Sequence, residues 1–514
     1  MTPGGGVTWR GWVGFMSMVV GMFMSILDIQ IVSASIADIQ AGLSASADEV
    51  AWVQTSYLVA EIVMVPLSGW LSRALSTRVL FTLSALGFTL FSALCASATS
   101  LPEMILWRAL QGFFGGGMFP TVFATAFLMF PGKQRMRVQV LISLTATLAP
   151  TIGPTLGGWL TSAFSWHWVF LINLPFGLAA AASVWTFIDI DRPELGLLRR
   201  FDVIGLVLLA AFLGSLEYVL EEGNRNDWFA DDSILFFAVL SAVAAVLFFY
   251  RMLTRAEPLV DLRAFANRNF ALGCLLSGII GVGLYGSVFL VPLFLGQVRG
   301  YDSFDIGRAM FATGVAMFFT GPIAGRITGL VDLRRMAAFG LLSFGISCWW
   351  LAHLTSQSGT WEIMVPQALR GFSLMFLFLP VNQMSLGTLP PAALKNASGL
   401  YNLMRNLGGA IGIAMLGTLV TTRSAVHGLH LHEQVTWARP AVTQGLARMV
   451  EGLTPAKDAA ASLAALQRLA LLVRREALTL AYNDVLLVMG FCFFMAVPLT
   501  LLLARPRMVG AGGH

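Results

Sequence analysis

The sequence predicts an all-α integral membrane protein: fourteen transmembrane helices, set out as two six-helix halves with two helices inserted between them. Three observations predict it. Hydrophobic residues make up 57% of the 514 residues and charged residues only 11%, where a soluble protein carries about 25% charged. Apolar runs of about 20 residues, the length that crosses a bilayer, recur at 11–36, 50–72, 78–98, 103–130, 136–161, 167–188, 202–221, 232–253, 270–296, 304–326, 335–354, 361–388, 392–422 and 481–504. Finally, "RALQGF" (108–113) returns as "QALRGF" (367–372), with Arg and Gln exchanged, at an offset of 259 residues; "GWLSRALSTRVL" (69–80) is answered by "GRITGLVDLRRM" (325–336) at an offset of 256. Two motifs at nearly one offset read as homologous halves. The divisions expected are 1–201 for the first half, 202–254 for the inserted pair and 255–514 for the second half.

In span 1 the stretch "FMSILDIQIVSASIADIQ" (23–40) places Asp28 in an otherwise uncharged run from Gly11 to Ala37. An ionised carboxylate in hydrocarbon costs several kcal/mol even on lenient scales, so an intramembrane acid marks a proton or substrate path by default. In span 2, "WVQTSYLVAEIVMVP" carries Gln54, Tyr57 and, about halfway down, Glu61. A Glu without a fixed cation at that depth is costly to ionise, and its alternative role is a neutral hydrogen bond to a neighbouring helix. In span 4, Arg108 lies about six residues from the outer end, roughly 9 Å deep, and Asp28 roughly 11 Å. The matching depths predict that the two can pair, directly or through Gln111 and water, which lowers the cost of burying either.

Span 5 carries "APTIGPTLGGWL" (149–160). Pro150 and Pro154 remove backbone donors and bend the helix, while Gly153, Gly157 and Gly158 admit a close neighbour. In the second half, Arg370 and Arg405 are the buried cations, and "GLYNLMRNLGGAIGIA" (399–414) is glycine-rich around Arg405. Gln111, Tyr57, Gln54, Asn402, Arg405 and Asn382 are the polar residues expected to line a central cavity. Glu217 and Arg308 fall near outer helix ends, where water is within reach.

An even number of spans puts both termini on one side. With the N-terminus inside, the inner segments hold Arg10, Arg73, Arg78, Lys133, Arg135, Arg199, Arg200, Arg334, Arg335, Lys395, Arg505 and Arg507 among others, and the short outer loops only Arg225 and Arg299. The positive-inside rule then puts both termini in the cytoplasm. The apolar run after "MTPGGGVTWR" is too long for a signal-peptide core and reads as a retained first helix. The long outer segment, 423–480, reads as a helix from Lys457 to Leu480, with Leu463, Leu466, Leu469, Val473, Ala477 and Leu480 spaced by three or four residues. It either lies on the outer membrane surface as a lead into span 14 or docks a partner.

Several classes fall away. The net charge of +5 comes from 32 basic and 27 acidic residues, scattered through short loops rather than clustered, so no nucleic acid partner is expected. The four Cys lie far apart inside apolar runs and form no CxxC metal site or disulfide framework. "HGLHLH" (427–432) lacks an acid or Cys to complete a metal cage, and the glycine runs follow no strand and lead to no G-K-[ST]. No cofactor and no metal are expected. There is no HExxH or GxSxG, which disfavours a membrane-embedded enzyme.

The chain resembles the fourteen-helix drug:proton antiporter family of the major facilitator superfamily, and most of all its EmrB-type branch. The resemblance covers almost the whole chain. It rests on "LDIQIVSASI", "WVQTSYLVAEIVMVPLSGWL", "RALQGFFGGG", "GPTLGGWL", "WHWVFLINLPFG" and the inserted pair. It implies proton-coupled export of lipophilic compounds across a bacterial inner membrane, with a periplasmic membrane-fusion adaptor and an outer-membrane channel as partners. It makes Asp28, Glu61 and Arg108 the proton-coupling candidates, Gly153, Pro154, Gly157 and Gly158 the antiporter motif, and Gly69, Arg73 and Arg78 the inner gate. The family's inner-loop pattern G-x-L-x-D-R-x-G-R-[KR] is degraded here: Ser72 stands at the Asp position and Ser76 at the second Gly, so the usual charge latch must be replaced. An importer of a small nutrient is the alternative, against which "GPTLGG" and the inserted pair count.

Overall fold

The computed structural model describes residues 7–46, 49–301, 303–451 and 459–504, and among them the regular structure is entirely helical. Fourteen long helices occur in order: α1 Trp9–Ala34, α2 Trp52–Leu75, α3 Thr77–Ala96, α4 Leu101–Met129, α5 Gly132–Ala163, α6 His167–Phe187, α7 Val203–Glu222, α8 Asp232–Thr254, α9 Arg268–Gln297, α10 Ser303–Ile327, α11 Leu333–Leu351, α12 Thr360–Leu386, α13 Leu394–Gln434 and α14 Ala459–Leu502. Twelve are long and apolar enough to cross a bilayer, and the bent α5 makes a thirteenth. The remaining one, α11, has 19 residues and opens on Arg334 and Arg335, so its apolar stretch is short, but it is packed between α12 and α14. Arg505 and Arg507 lie outside the described residues, as does Lys457.

The interruptions have local causes. Helix α4 breaks between Leu101–Gly115 and Met118–Met129, where its glycine run meets α2. A Cβ on Gly115 would stand 2.7 Å from the Tyr57 hydroxyl, and one on Gly116 2.6 Å from the Glu61 carbonyl. That run is a packing seam. Helix α5 bends by 46° between Gln134–Pro150 and Ile152–Ala163, as two prolines missing their donors dictate.

The repeat is visible in the packing. Gly112 of α4 sits against the backbone of Tyr57 in α2, and Gly371 of α12 sits against the backbone of Thr313 in α10. These two contacts are related by the same offsets as the sequence motifs. The inserted pair divides its labour. Helix α7 packs on α2 and α13, and so on both halves, while α8 leans mainly on α7 and exposes Phe236, Val246, Tyr250 and Leu253 as a lipid-facing surface would. At its base Asp202 accepts hydrogen bonds from Arg251 (2.7 Å) and from the Gly205 amide (3.0 Å). Burial pushes the Asp202 carboxyl up, but these bonds and nearby Arg255 outweigh it and hold it below the usual range.

The long outer segment is not a loop. Helix α13 runs for 41 residues and α14 for 44, roughly 60 Å each where a bilayer core takes about 30 Å. The two run side by side beyond the bundle, tied by Asp484 to Arg423 and His427 (both 2.8 Å), and a short helix Pro440–Glu451 packs on α14. The helix read from Lys457 to Leu480 is present over its described residues and continues into span 14 without a break. His427 is thereby a hydrogen-bond partner of Asp484, and no group of metal-holding side chains occurs among the described residues.

Candidate functional site

Asp28 is the centre of a buried polar cluster built by four helices. Its Oδ2 accepts from Arg108 Nη1 at 2.6 Å. Its Oδ1 accepts from Gln111 Nε2 at 3.1 Å and from Asn173 Nδ2 at 2.7 Å. Arg108 also donates to Gln111 Oε1 (2.7 Å) and, through Nε, to the Val53 carbonyl (3.0 Å), and its guanidinium lies 4.3 Å from the Tyr57 ring centroid. The Tyr57 hydroxyl donates to the Ser25 carbonyl at 3.2 Å. Asp28, Arg108, Gln111 and Tyr57 are at most 1% exposed. Such an ion pair persists away from water because both carboxylate oxygens are engaged, by three hydrogen bonds in all. All the members belong to the first half, so the cluster ties α1, α2, α4 and α6 into one unit.

The second half has the counterpart without the acid. Arg370 donates from Nη2 to Thr313 Oγ1 at 3.0 Å, and its Nε and Nη1 have no partner. Arg405 donates to Asn402 Oδ1 at 2.7 Å and lies 4.3 Å from the Phe119 ring. Asn382 on α12 and Gln139 on α5 are each 1% exposed, with both side-chain polar atoms unpartnered.

A cavity of about 490 Å³ lies between the halves, in the part of the bundle away from the termini. Its walls come from α1, α2, α4, α5, α7, α9, α10 and α13, and Gln54, Glu61 and Pro154 face it. Of the six polar residues expected to line a cavity, only Gln54 does so. Gln111 and Tyr57 belong to the Asp28 cluster, Asn402 and Arg405 pair with each other, and Asn382 is sealed between helices. Glu217 is corrected: it is 5% exposed and does not reach bulk water. It faces the cavity beside Glu221, because α7 is tucked against α2 and not at the rim. Arg308 is exposed.

The bend in α5 serves this cavity. A Cβ on Gly157 would stand 2.7 Å from the Ile31 carbonyl, and one on Gly153 would collide with the Gln30 side chain. Helix α5 thus lies directly on the end of α1, with Gly158 half-buried and Pro154 turned to the cavity.

At the face that carries the termini the halves close on each other. A Cβ on Gly69 would be 2.8 Å from both the Asn396 Cα and the Lys395 carbonyl. Ser398 Oγ donates to the Pro120 carbonyl at 3.0 Å. With Ser72 in place of an acid, Asp191 supplies the charge. It caps α3 by accepting from the Thr77 amide (3.1 Å) and hydroxyl (2.9 Å), and it pairs with Lys395 of α13. Lys395 also donates to the Ser72 carbonyl at 2.9 Å. Arg73 contributes its carbonyl to the Glu194 amide (3.1 Å), and Arg78 stands 4.0 Å from exposed Asp189.

The family model described as Major Facilitator Superfamily matches residues 18–413. The chain belongs to the Major Facilitator Superfamily. Within the superfamily it is an EmrB-type member: it is 40% identical over 500 residues to the "Colistin resistance protein EmrB" of Acinetobacter baumannii, covering 96% of this chain and 97% of that one. It is 30% identical to the "Multidrug export protein EmrB" of Escherichia coli K12, over 97% and 96% of the two chains. The fold of the human organic anion transporter MFSD10 superposes with a TM-score of 0.56 at 13% identity, over 94% of this chain and 99% of that one. Members of this family are transporters and not enzymes. Sequence reasoning missed Asn173, Glu217, Asp191 and Lys395. Asn173 stands inside the quoted "WHWVFLINLPFG", and Asp191 repeats the acid of "IDID" just after α6, but neither signal says what it touches.

Proposed function

We propose that this chain is a proton-coupled antiporter that exports lipophilic toxic compounds across a bacterial inner membrane, its termini in the cytoplasm, as the membrane component of a tripartite efflux system. The observation that carries the reading is a largely apolar cavity between two halves, with Glu61 on its wall and the halves closed beneath it. Glu61 is the acid placed to exchange a proton with the cavity; the Asp28–Arg108 pair behind it holds the helix that carries it. Substrate and proton then compete for one space, and their differing affinities for the two conformations couple them. The names of the EmrB relatives support export, as does that of the "Fatty acid resistance protein FarB" of Neisseria gonorrhoeae, 28% identical over 503 residues.

Expression in an efflux-deficient host, with its adaptor and channel supplied, should raise resistance to lipophilic toxins several-fold, and a protonophore should abolish it. In vesicles, Glu61→Gln should still bind substrate but lose the response of export to an imposed pH gradient. Resistance that survives the protonophore, or an unchanged gradient response in Glu61→Gln, refutes proton coupling through Glu61.

The projecting pair of helices is the surface proposed for the adaptor. Leu429, Leu463, Leu466 and Leu471 are exposed on it. Replacing 429–474 with a short linker keeps the ties of Asp484 to Arg423 and His427, and the bond that Ser356 Oγ donates to Glu476 at 2.6 Å. The shortened protein should transport in vesicles at near wild-type rate, yet lose adaptor capture in pull-down and lose resistance in cells. Full capture by the shortened protein would move docking elsewhere.

A further inference from the structure

Helix α7 has no counterpart in either six-helix half, but it is built into the cavity wall. On one side it meets the first half: Thr55 Oγ1 donates to Glu222 Oε1 at 3.1 Å, the Trp52 and Tyr218 rings stack at 5.3 Å, and a Cβ on Gly214 would touch Val59 at 3.3 Å. Just past its C-terminal end, Trp228 Nε1 donates to Thr418 Oγ1 of α13 at 3.0 Å. So held, α7 presents Glu217 and Glu221 to the cavity that Glu61 faces from α2. Glu217 is buried, and its Oε2 has no partner among the described residues. No Lys, Arg or His is among the residues that line the cavity; the nearby Arg405 is engaged with Asn402 and the Phe119 ring. Phe119, Phe289 and aliphatic side chains make up most of the remaining wall.

We propose that the inserted helix α7 is part of the transport site, and that Glu217 and Glu61 together bind the positive groups of an amphiphile carrying two or more of them. A carboxylate with an unfilled acceptor in a low-dielectric cavity is satisfied by a cation delivered with its own apolar body. Two acids on adjoining helices of one cavity, with no Lys, Arg or His among the residues that line it, discriminate by charge number. A monocation leaves one acid without a partner, whereas a dication engages both. Glu221, nearer the end of α7, offers a third contact on the way in.

The inference rests on the export reading for the use of the cavity and goes beyond it in naming α7 and the substrate class. Purified protein in lipid nanodiscs is titrated with dequalinium, which carries two quinolinium groups on an alkyl chain, and with tetraphenylphosphonium, which carries one charge. Wild type should bind dequalinium about tenfold more tightly or better, one favourable charge contact being worth at least that factor. Glu217→Gln should remove most of this preference with little change in tetraphenylphosphonium affinity, and Glu217→Asp should recover part of it. An unchanged thermal unfolding midpoint for Glu217→Gln assigns the loss to the site and not to folding. Equal dequalinium affinity in Glu217→Gln and wild type overturns the proposal. So does wild type that binds neither cation while exporting neutral lipophiles, a result that would leave the export reading standing; failure to export any lipophile would instead remove that reading.

Discussion

Asp28→Ala is expected to deplete the protein from the membrane, and adding Arg108→Gln to it is expected to restore much of the loss. The reason is the geometry of the pair. Arg108 is wholly buried, and its bond to Asp28 is 2.6 Å long. Removing the carboxylate leaves a guanidinium in a low-dielectric interior with its main counter-charge gone, a change worth about 3–5 kcal/mol in buried pairs. That is a large part of the whole stability of a typical domain. Removing both charges removes the problem, so the double variant should fall well short of the sum of the singles. Abundance by fluorescence-detected chromatography and thermal midpoints in detergent provide the cycle; strict additivity would mean that the pair contributes no mutual stabilisation. Asp28→Asn is a milder change, because an amide oxygen still accepts from Arg108. It should fold and reach the membrane, and it should fail to export against a gradient. Normal export by Asp28→Asn would show that the charge on α1 has no part in coupling.

The second large effect is expected at the closed face. Lys395→Glu should open it. Lys395 joins α13 to Asp191 and to the Ser72 carbonyl, and both partners are mostly shielded from water. A charge-assisted contact of this kind contributes about 2–3 kcal/mol, so its loss shifts a two-state equilibrium by about 30- to 150-fold, and the new carboxylate adds repulsion from Asp191. Ser398, fully buried against Pro120, reports the change. With Ser398→Cys in a background without other cysteines, a membrane-impermeant maleimide applied from the face that carries the termini should label Lys395→Glu much faster than its parent. Lys395→Arg should label slowly, because the charge remains. Equal rates in all three would mean that backbone packing at Gly69 and Asn396 holds the face shut without the ion pair.

Span number and the repeat could be read directly from the chain, since they depend on run length and on motif spacing alone. The contact of Asp28 with Arg108 was legible too, because depth along a helix is a matter of counting at a fixed rise. What could not be read was rotation and tilt. Glu217 looks like a rim residue by its distance from the end of α7; it is buried because that helix leans on α2, which no count along α7 reveals. Asn173 and Lys395 reach their partners across 145 and 204 positions of sequence, and only the packed fold brings them there. The full helical extent of the segment 423–480 was hidden for a different reason. A polar composition says that residues leave the bilayer, not that the helix ends, and two long helices that pack on each other carry their hydrogen-bond ladders straight out into water.

The unpartnered amides of Gln139 and Asn382 have a consequence for the transport cycle. Both lie on the side of the bundle that is shut, on helices α5 and α12, which touch, and both are buried with no hydrogen-bond partner among the described residues. A buried polar group left without a bond costs about 1–3 kcal/mol. When the halves part on that side, water enters and wets them, so the strain is released in the other conformation. The ion pair at Lys395 pulls the gate shut while dry amides push it open. Two opposed terms of similar size leave neither conformation in a deep well. A carrier must turn over on the modest differences in affinity that its ligands have for the two conformations. A closed face with a completely satisfied interior would hold fast and carry nothing.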